Sequence, residues 1–161
     1  MVTLHNLGFP RMGAHRELKF ALERHWRGEI DAQALETETQ ALRAQHWQMQ
    51  RATGLDWVPV GDFALYDHVL DTSLALGVIP ARFGARTQTR DLGLLFRMAR
   101  GDANTTACEM TKWFDTNYHY LVPEFAVAQG FSLQANRLAD AFAEARHQGI
   151  PARPVLLGPM S

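Results

Sequence analysis

Three segments of the chain combine charged, aromatic and glycine residues in patterns that could do chemistry. The first is Gly8-Phe9-Pro10-Arg11-Met12-Gly13, which runs into His15-Arg16-Glu17-Leu18-Lys19. Its glycines permit tight turns, and a helix starting here would offer amides to an anion, with Arg16 and Lys19 adding cations. The same residues also read as a turn followed by a solvated helix face. The second segment is Val60-Gly61-Asp62-Phe63, with Tyr66, Asp67 and His68 one turn later. Asp62 suits a helix cap, while an Asp and a His together could orient a ligand or move a proton near neutral pH. The third runs from Glu109 to Tyr120 and sets Lys112 among Trp113, Phe114, Tyr118 and Tyr120. A lysine there can hold a carboxylate while the rings stack on a planar heterocycle; equally, this is an aromatic core strand whose lysine reaches solvent.

Each segment follows a stretch expected to be a strand. Val2 to Leu7 reads as a short strand ending at Gly8. Leu18, Leu22 and Trp26 then recur every four residues, which predicts a helix over about 15–27 stopped by Gly28. Asp31 caps a longer helix in which Leu35, Leu42, His46 and Met49 share a stripe and Gly54 closes the element. Asp56 to Val60 is a second strand, followed by a helix over about 63–76. Residues 77–90 lack periodicity and read as a loop, and a further helix is expected over 92–99. Tyr118 to Pro123 is a third strand candidate. Ser132 caps a helix with Leu138, Phe142 and Ala145 inward, stopped by Gly149 and Pro151, and Val155 to Leu157 begins a fourth strand. Strands alternating with helices imply βαβ units and a parallel sheet, with ligands at the carboxyl ends of the strands. A closed barrel of eight such units needs roughly 250 residues, so the expectation is an unfinished architecture, cut shortly after its fourth strand.

Composition excludes several classes. With 161 residues, 16 Lys plus Arg and 17 Asp plus Glu, the chain has a formal net charge of -1, whereas general binders of nucleic acid or membrane surfaces carry a clear basic excess. Arg82, Arg86, Arg90, Arg97 and Arg100 form a local basic stretch, but Phe83 and Phe96 are the only interleaved aromatics, which favours a solvated face. One cysteine, Cys108, allows no intrachain disulfide and fits a reducing cytoplasm as a buried, inert thiol. No basic leader with an apolar core opens the sequence, and no run of about 18 apolar residues occurs. Phosphate-loop, dinucleotide, nucleophile-elbow and zinc-protease signatures are absent. Cys108 and His119 lack metal-ligand spacing, and two ligands would not complete a zinc site.

Taken together, LGFPRMG with HRELK (7–19), VPVGDFALYDHVL (58–70), EMTKWFDTNYHYLVPEF (109–125) and PVLLGP (154–159) resemble the N-terminal part of the cobalamin-independent methionine synthases. The motifs occur in family order across essentially the whole chain. The resemblance implies a longer parent with two (β/α)8 TIM barrels facing each other, residues 1–161 being the first half of the N-terminal, folate-binding barrel, about four βα units. It implies transfer of a methyl group from 5-methyltetrahydropteroyltri-L-glutamate to L-homocysteine, giving methionine without cobalamin. Arg16, Glu17, Leu18, Lys19 and Lys112 match the family's binding positions for the methylfolate polyglutamate, whose string of carboxylates agrees with the cationic character of Arg16, Lys19 and Lys112. The zinc ligands, homocysteine pocket and proton donor of the family lie in its C-terminal barrel, so no catalytic residue or metal ligand is expected here, and His119, Cys108 and Asp62 are not assigned to zinc. The alternative expectation is a stand-alone, non-catalytic folate-binding module, self-associating through open strand edges, or an inactive remnant.

Overall fold

The computed structural model describes residues 2–84, 91–134 and 136–158. One compact unit is built from Met1–Leu65 and Leu138–Leu156, and the other centres on Tyr66–Arg137.

In the first unit, α1 spans Glu17–Trp26 and buries Leu18, Ala21 and Leu22. It starts two residues later than periodicity predicts because Arg16 adopts a left-handed conformation, φ 62° and ψ 34°, which no α-helix can continue. Helix α2, Ala32–Ala52, has the expected cap: the Asp31 carboxylate accepts the Ala34 amide at 2.8 Å. Leu35, Leu42 and His46 face inward as expected, but Met49 is exposed, and Arg43, Trp47 and Gln50 are buried instead. Strand β1, Val58–Val60, is buried along its whole length, the pattern of a strand covered on both faces.

The last elements of this unit are α5, Arg137–His147, and a strand over Ala152–Pro154 that pairs in parallel with β1, Val58 opposite Ala152 and Val60 opposite Pro154. The expected strand at Val155 to Leu157 is displaced by three residues. Strongly apolar side chains favoured the later segment, yet Ile150 and Ala152 fill the core with Trp47, Val58, Val60 and Ala145, while Leu156 is exposed. Leu138 and Phe142 pack against this cluster, as expected of α5. The N-terminal strand shrinks to one parallel bridge, His5 to Trp57, and among the described residues Val2, Leu4 and Leu7 stay exposed.

The second unit opens with α3, His68–Ala75. Its cap is Asp67, whose carboxylate accepts the Leu70 amide at 2.9 Å, not Asp62, and the helix begins five residues later than expected. A short 3-10 turn, Ala81–Phe83, lies in the stretch read as loop; 85–90 of that stretch, with Arg86 and Arg90, fall outside the described residues. Helix α4, Leu92–Arg100, is capped by Asp91. Ser132 does not begin the next helix: its amide donates to Leu76 O and that of Gln134 to Ala75 O, so 132–134 line the end of α3 and α5 starts at Arg137.

The largest departure concerns the third strand. Met110–Lys112 (β2) and His119–Leu121 (β3) form an antiparallel hairpin, Lys112 opposite His119, where one member of a parallel sheet was expected. Ala152–Pro154 is therefore β4. Among the described residues the sheets are a parallel pair, β1 with β4, and this hairpin; helices and small sheets together are compatible with an α/β domain.

Candidate functional site

The glycine-rich segment is fixed from both ends. Asp62, just past β1, accepts the Phe9 amide at 2.8 Å. Burial pushes the Asp62 carboxyl above its ordinary range, and the amides of Phe9 and Asp62 itself oppose that shift. At the other end, a Glu17 oxygen accepts the His15 amide at 2.9 Å. The amide of Glu17 and then that of His15 hold this carboxyl below the usual carboxylate range. Gly13, at φ +82°, lies against the same carboxylate, where a Cβ would collide with it. The positive φ is what calls for glycine here.

This geometry sorts the first turn of α1. Arg16 N donates to Gly13 O at 3.3 Å and Leu18 N to Met12 O at 3.2 Å, so these amides are spent on the loop. The Leu18 side chain is buried and that of Glu17 is turned onto the backbone. Arg16 and Lys19 remain exposed, and Lys19 pairs with Glu23 at 3.7 Å with both side chains solvated, a contact worth little. Lys112 is exposed on β2, in the second unit. Arg16, Glu17, Leu18 and Lys19 are thus brought together on one turn, and Lys112 stands on a separate unit.

His46 supports the loop from below and is a residue that sequence reasoning left in the core stripe. Its ring lies between Phe9, 5.0 Å away, and Phe63, 6.2 Å away. Burial lowers its pKa from the ordinary 6.5, and the nearby Glu17 charge only partly opposes this. A histidine neutral in the fold but protonated in the unfolded chain makes the unfolded state take up more protons below about pH 6.5. Stability contributed by His46 is therefore complete above that pH and falls as the pH drops toward the folded value. Urea unfolding of this chain between pH 7 and 5 is expected to show that loss, and His46→Phe to flatten it; an unchanged slope in the variant would refute the assignment.

In the second unit Trp113 packs edge-on against Tyr120 and Phe114, and Phe114 lies 81% exposed at φ 49° in the hairpin turn. An exposed aromatic held in a left-handed conformation is the kind of local strain that clusters at binding sites. Cys108 is buried, its thiol pushed up to about 11 first by burial and then by the charge of Glu124, the mark of an unreactive thiol. Arg82 is bound to Glu124 and lies over Phe83, and Arg97 bonds Asp102 at 2.8 Å, so these members of the basic stretch are engaged with the protein itself. Among the described residues, no group of three or more His, Cys, Asp or Glu side chains could hold a metal ion, and no helix is long and apolar enough to cross a membrane.

Comparison with known proteins decides the family. The model of the "Cobalamin-independent synthase, N-terminal domain" matches residues 3–161. The chain belongs to this family. Its curated relatives include proteins named 5-methyltetrahydropteroyltriglutamate--homocysteine methyltransferase from Syntrophotalea carbinolica, 55% identical over 98% of this chain and 21% of the relative, and from Acidithiobacillus ferrooxidans, 52% identical over 100% and 20%. The relative of that name from Xylella fastidiosa is 54% identical over 100% of this chain and 22% of its own length. The chain thus spans about a fifth of these relatives. Membership of the cobalamin-independent synthases accords with the resemblance carried by the four motifs.

Proposed function

We propose that this chain is the first half of the N-terminal (β/α)8 barrel of a cytoplasmic methyltransferase. The complete enzyme moves a methyl group from 5-methyltetrahydropteroyltri-L-glutamate to homocysteine, forming methionine, and this piece holds the polyglutamate tail. The carrying observation is identity above 50% along the whole chain to proteins named for that reaction.

Within the chain, the division of labour follows from which groups are available. Arg16 and Lys19 face the tail carboxylates, Arg16 with a planar fork suited to bidentate pairing. Glu17 and Leu18 belong to the same site by shaping it: the Glu17 carboxylate and the Leu18 amide hold the turn that fixes Arg16 in its left-handed conformation. Lys112 takes a further carboxylate from its exposed place on β2. Zinc, in the C-terminal barrel, would lower the pKa of the homocysteine thiol and hold it as thiolate. Among the described residues no cluster of ligating side chains fits that metal, and no step of theirs runs through it. A cytoplasmic location is supported by the lone, buried cysteine.

Lys112→Ala in the complete synthase is expected to weaken triglutamate binding by about 1.5–3 kcal/mol, the scale of a hydrogen bond to a charged group. Calorimetric titration with the triglutamate substrate reads this directly, and an unchanged dissociation constant would remove Lys112 from the site.

A further inference from the structure

Lys112 lies on a two-stranded hairpin, a structure only marginally stable by itself, and a single buried carboxylate ties that hairpin to α3. Asp67 is 2% exposed. One of its oxygens accepts the Leu70 amide at 2.9 Å, capping the helix, and also the Leu121 amide at 3.2 Å, gripping β3. The other accepts the hydroxyl of Tyr118, the residue at which the hairpin turn closes through Trp113 N to Tyr118 O at 2.8 Å. The Tyr118 ring stacks on that of His68, centroids 5.1 Å apart and 10° from parallel, and its hydroxyl lies 2.9 Å from His68 Nδ1. A tyrosine hydroxyl has one proton. In the structure that proton is given to Asp67, and His68 Nδ1 makes the hydroxyl's second polar contact.

We propose that Asp67, Tyr118 and His68 form a latch that sets the orientation of the β2–β3 hairpin and makes these three positioning residues for Lys112. The proposal rests on the reading of Lys112 as a polyglutamate ligand. The bond from Tyr118 to Asp67 joins residues 51 apart in the chain. The latch acts by restricting the arc over which Lys112 moves, so its loss is felt in binding of the tail and not in the chemical step.

Tyr118→Phe in the complete synthase keeps the ring stack and removes the hydroxyl. We expect KM for the triglutamate substrate to rise about tenfold, with kcat and KM for homocysteine unchanged, and amide exchange at Trp113 to accelerate. A double variant with Lys112→Ala is expected to be no weaker than Lys112→Ala alone, because Tyr118 acts through that lysine. If Lys112→Ala weakens binding while Tyr118→Phe leaves KM unchanged, or if the two effects add fully, the latch is overturned and the polyglutamate reading stands. If Lys112→Ala itself has no effect, the polyglutamate reading falls and the latch loses its ligand.

Discussion

Arg43→Ala is expected to lower the unfolding free energy of this chain by about 3–5 kcal/mol, the cost of breaking a buried ion pair from one side. Arg43 is a charged residue inside the first unit, its side chain only 9% exposed. It reaches Glu36 at 3.2 Å and Glu144 at 2.8 Å, and its guanidinium lies 5.5 Å from the centre of the Phe63 ring. The contact with Glu144 links α2 to α5, helices about 100 residues apart in the chain. Truncation removes the cation that both largely buried carboxylates share, and one of them, Glu144, already has an oxygen without a hydrogen-bond partner. Urea titration gives the value. A loss under about 1 kcal/mol would show the trio behaving like a surface pair.

Gly61→Ala is expected to cost about 2–4 kcal/mol, combining left-handed strain with overpacking. Gly61 leaves β1 at φ +91°, and a Cβ there would run into Leu138 and lie 3.0 Å from the Val155 carbonyl oxygen. Leu138 can shift only by giving up its place against the core, and the carbonyl is held by the chain following β4. Tm should fall by about 5–15 °C for a chain of this size; a variant melting within 1 °C of the parent would show that the turn has room.

Elements were legible in the sequence where one local interaction decides them. Asp31 before an apolar stripe caps α2 as written, and Leu138, Phe142 and Ala145 face the core at helical spacing. The errors arise where a distant group overrides a local preference. Asp62 has the position and chemistry of a cap, but the Phe9 amide, far away in sequence, takes its carboxylate, and Asp67 caps α3 instead. Hydrophobicity favours Val155 to Leu157 as strand four, although pairing with β1 selects the segment that brings Ile150 and Ala152 into the core. The hairpin does carry a sequence signal: Asp115-Thr116-Asn117 between two β-rich runs is turn chemistry that separates β2 from β3. In the candidate site, residue types located Arg16, Lys19 and Lys112, while Glu17 as a loop fastener and Asp67 as a latch needed coordinates, since both act through backbone amides.

The pairing of β1 with β4 sets a schedule. The two strands are about 90 residues apart, and ribosomes add about 5–20 residues per second, so Val58–Val60 leaves the ribosome on the order of 5–20 s before its partner exists. An uncovered apolar strand is an aggregation hazard for that interval. Helix α2 precedes β1 and supplies Trp47 to the same core, and helices form within microseconds. The early helix can therefore shelter the strand on one face during synthesis, until α5 and β4 arrive to close the core.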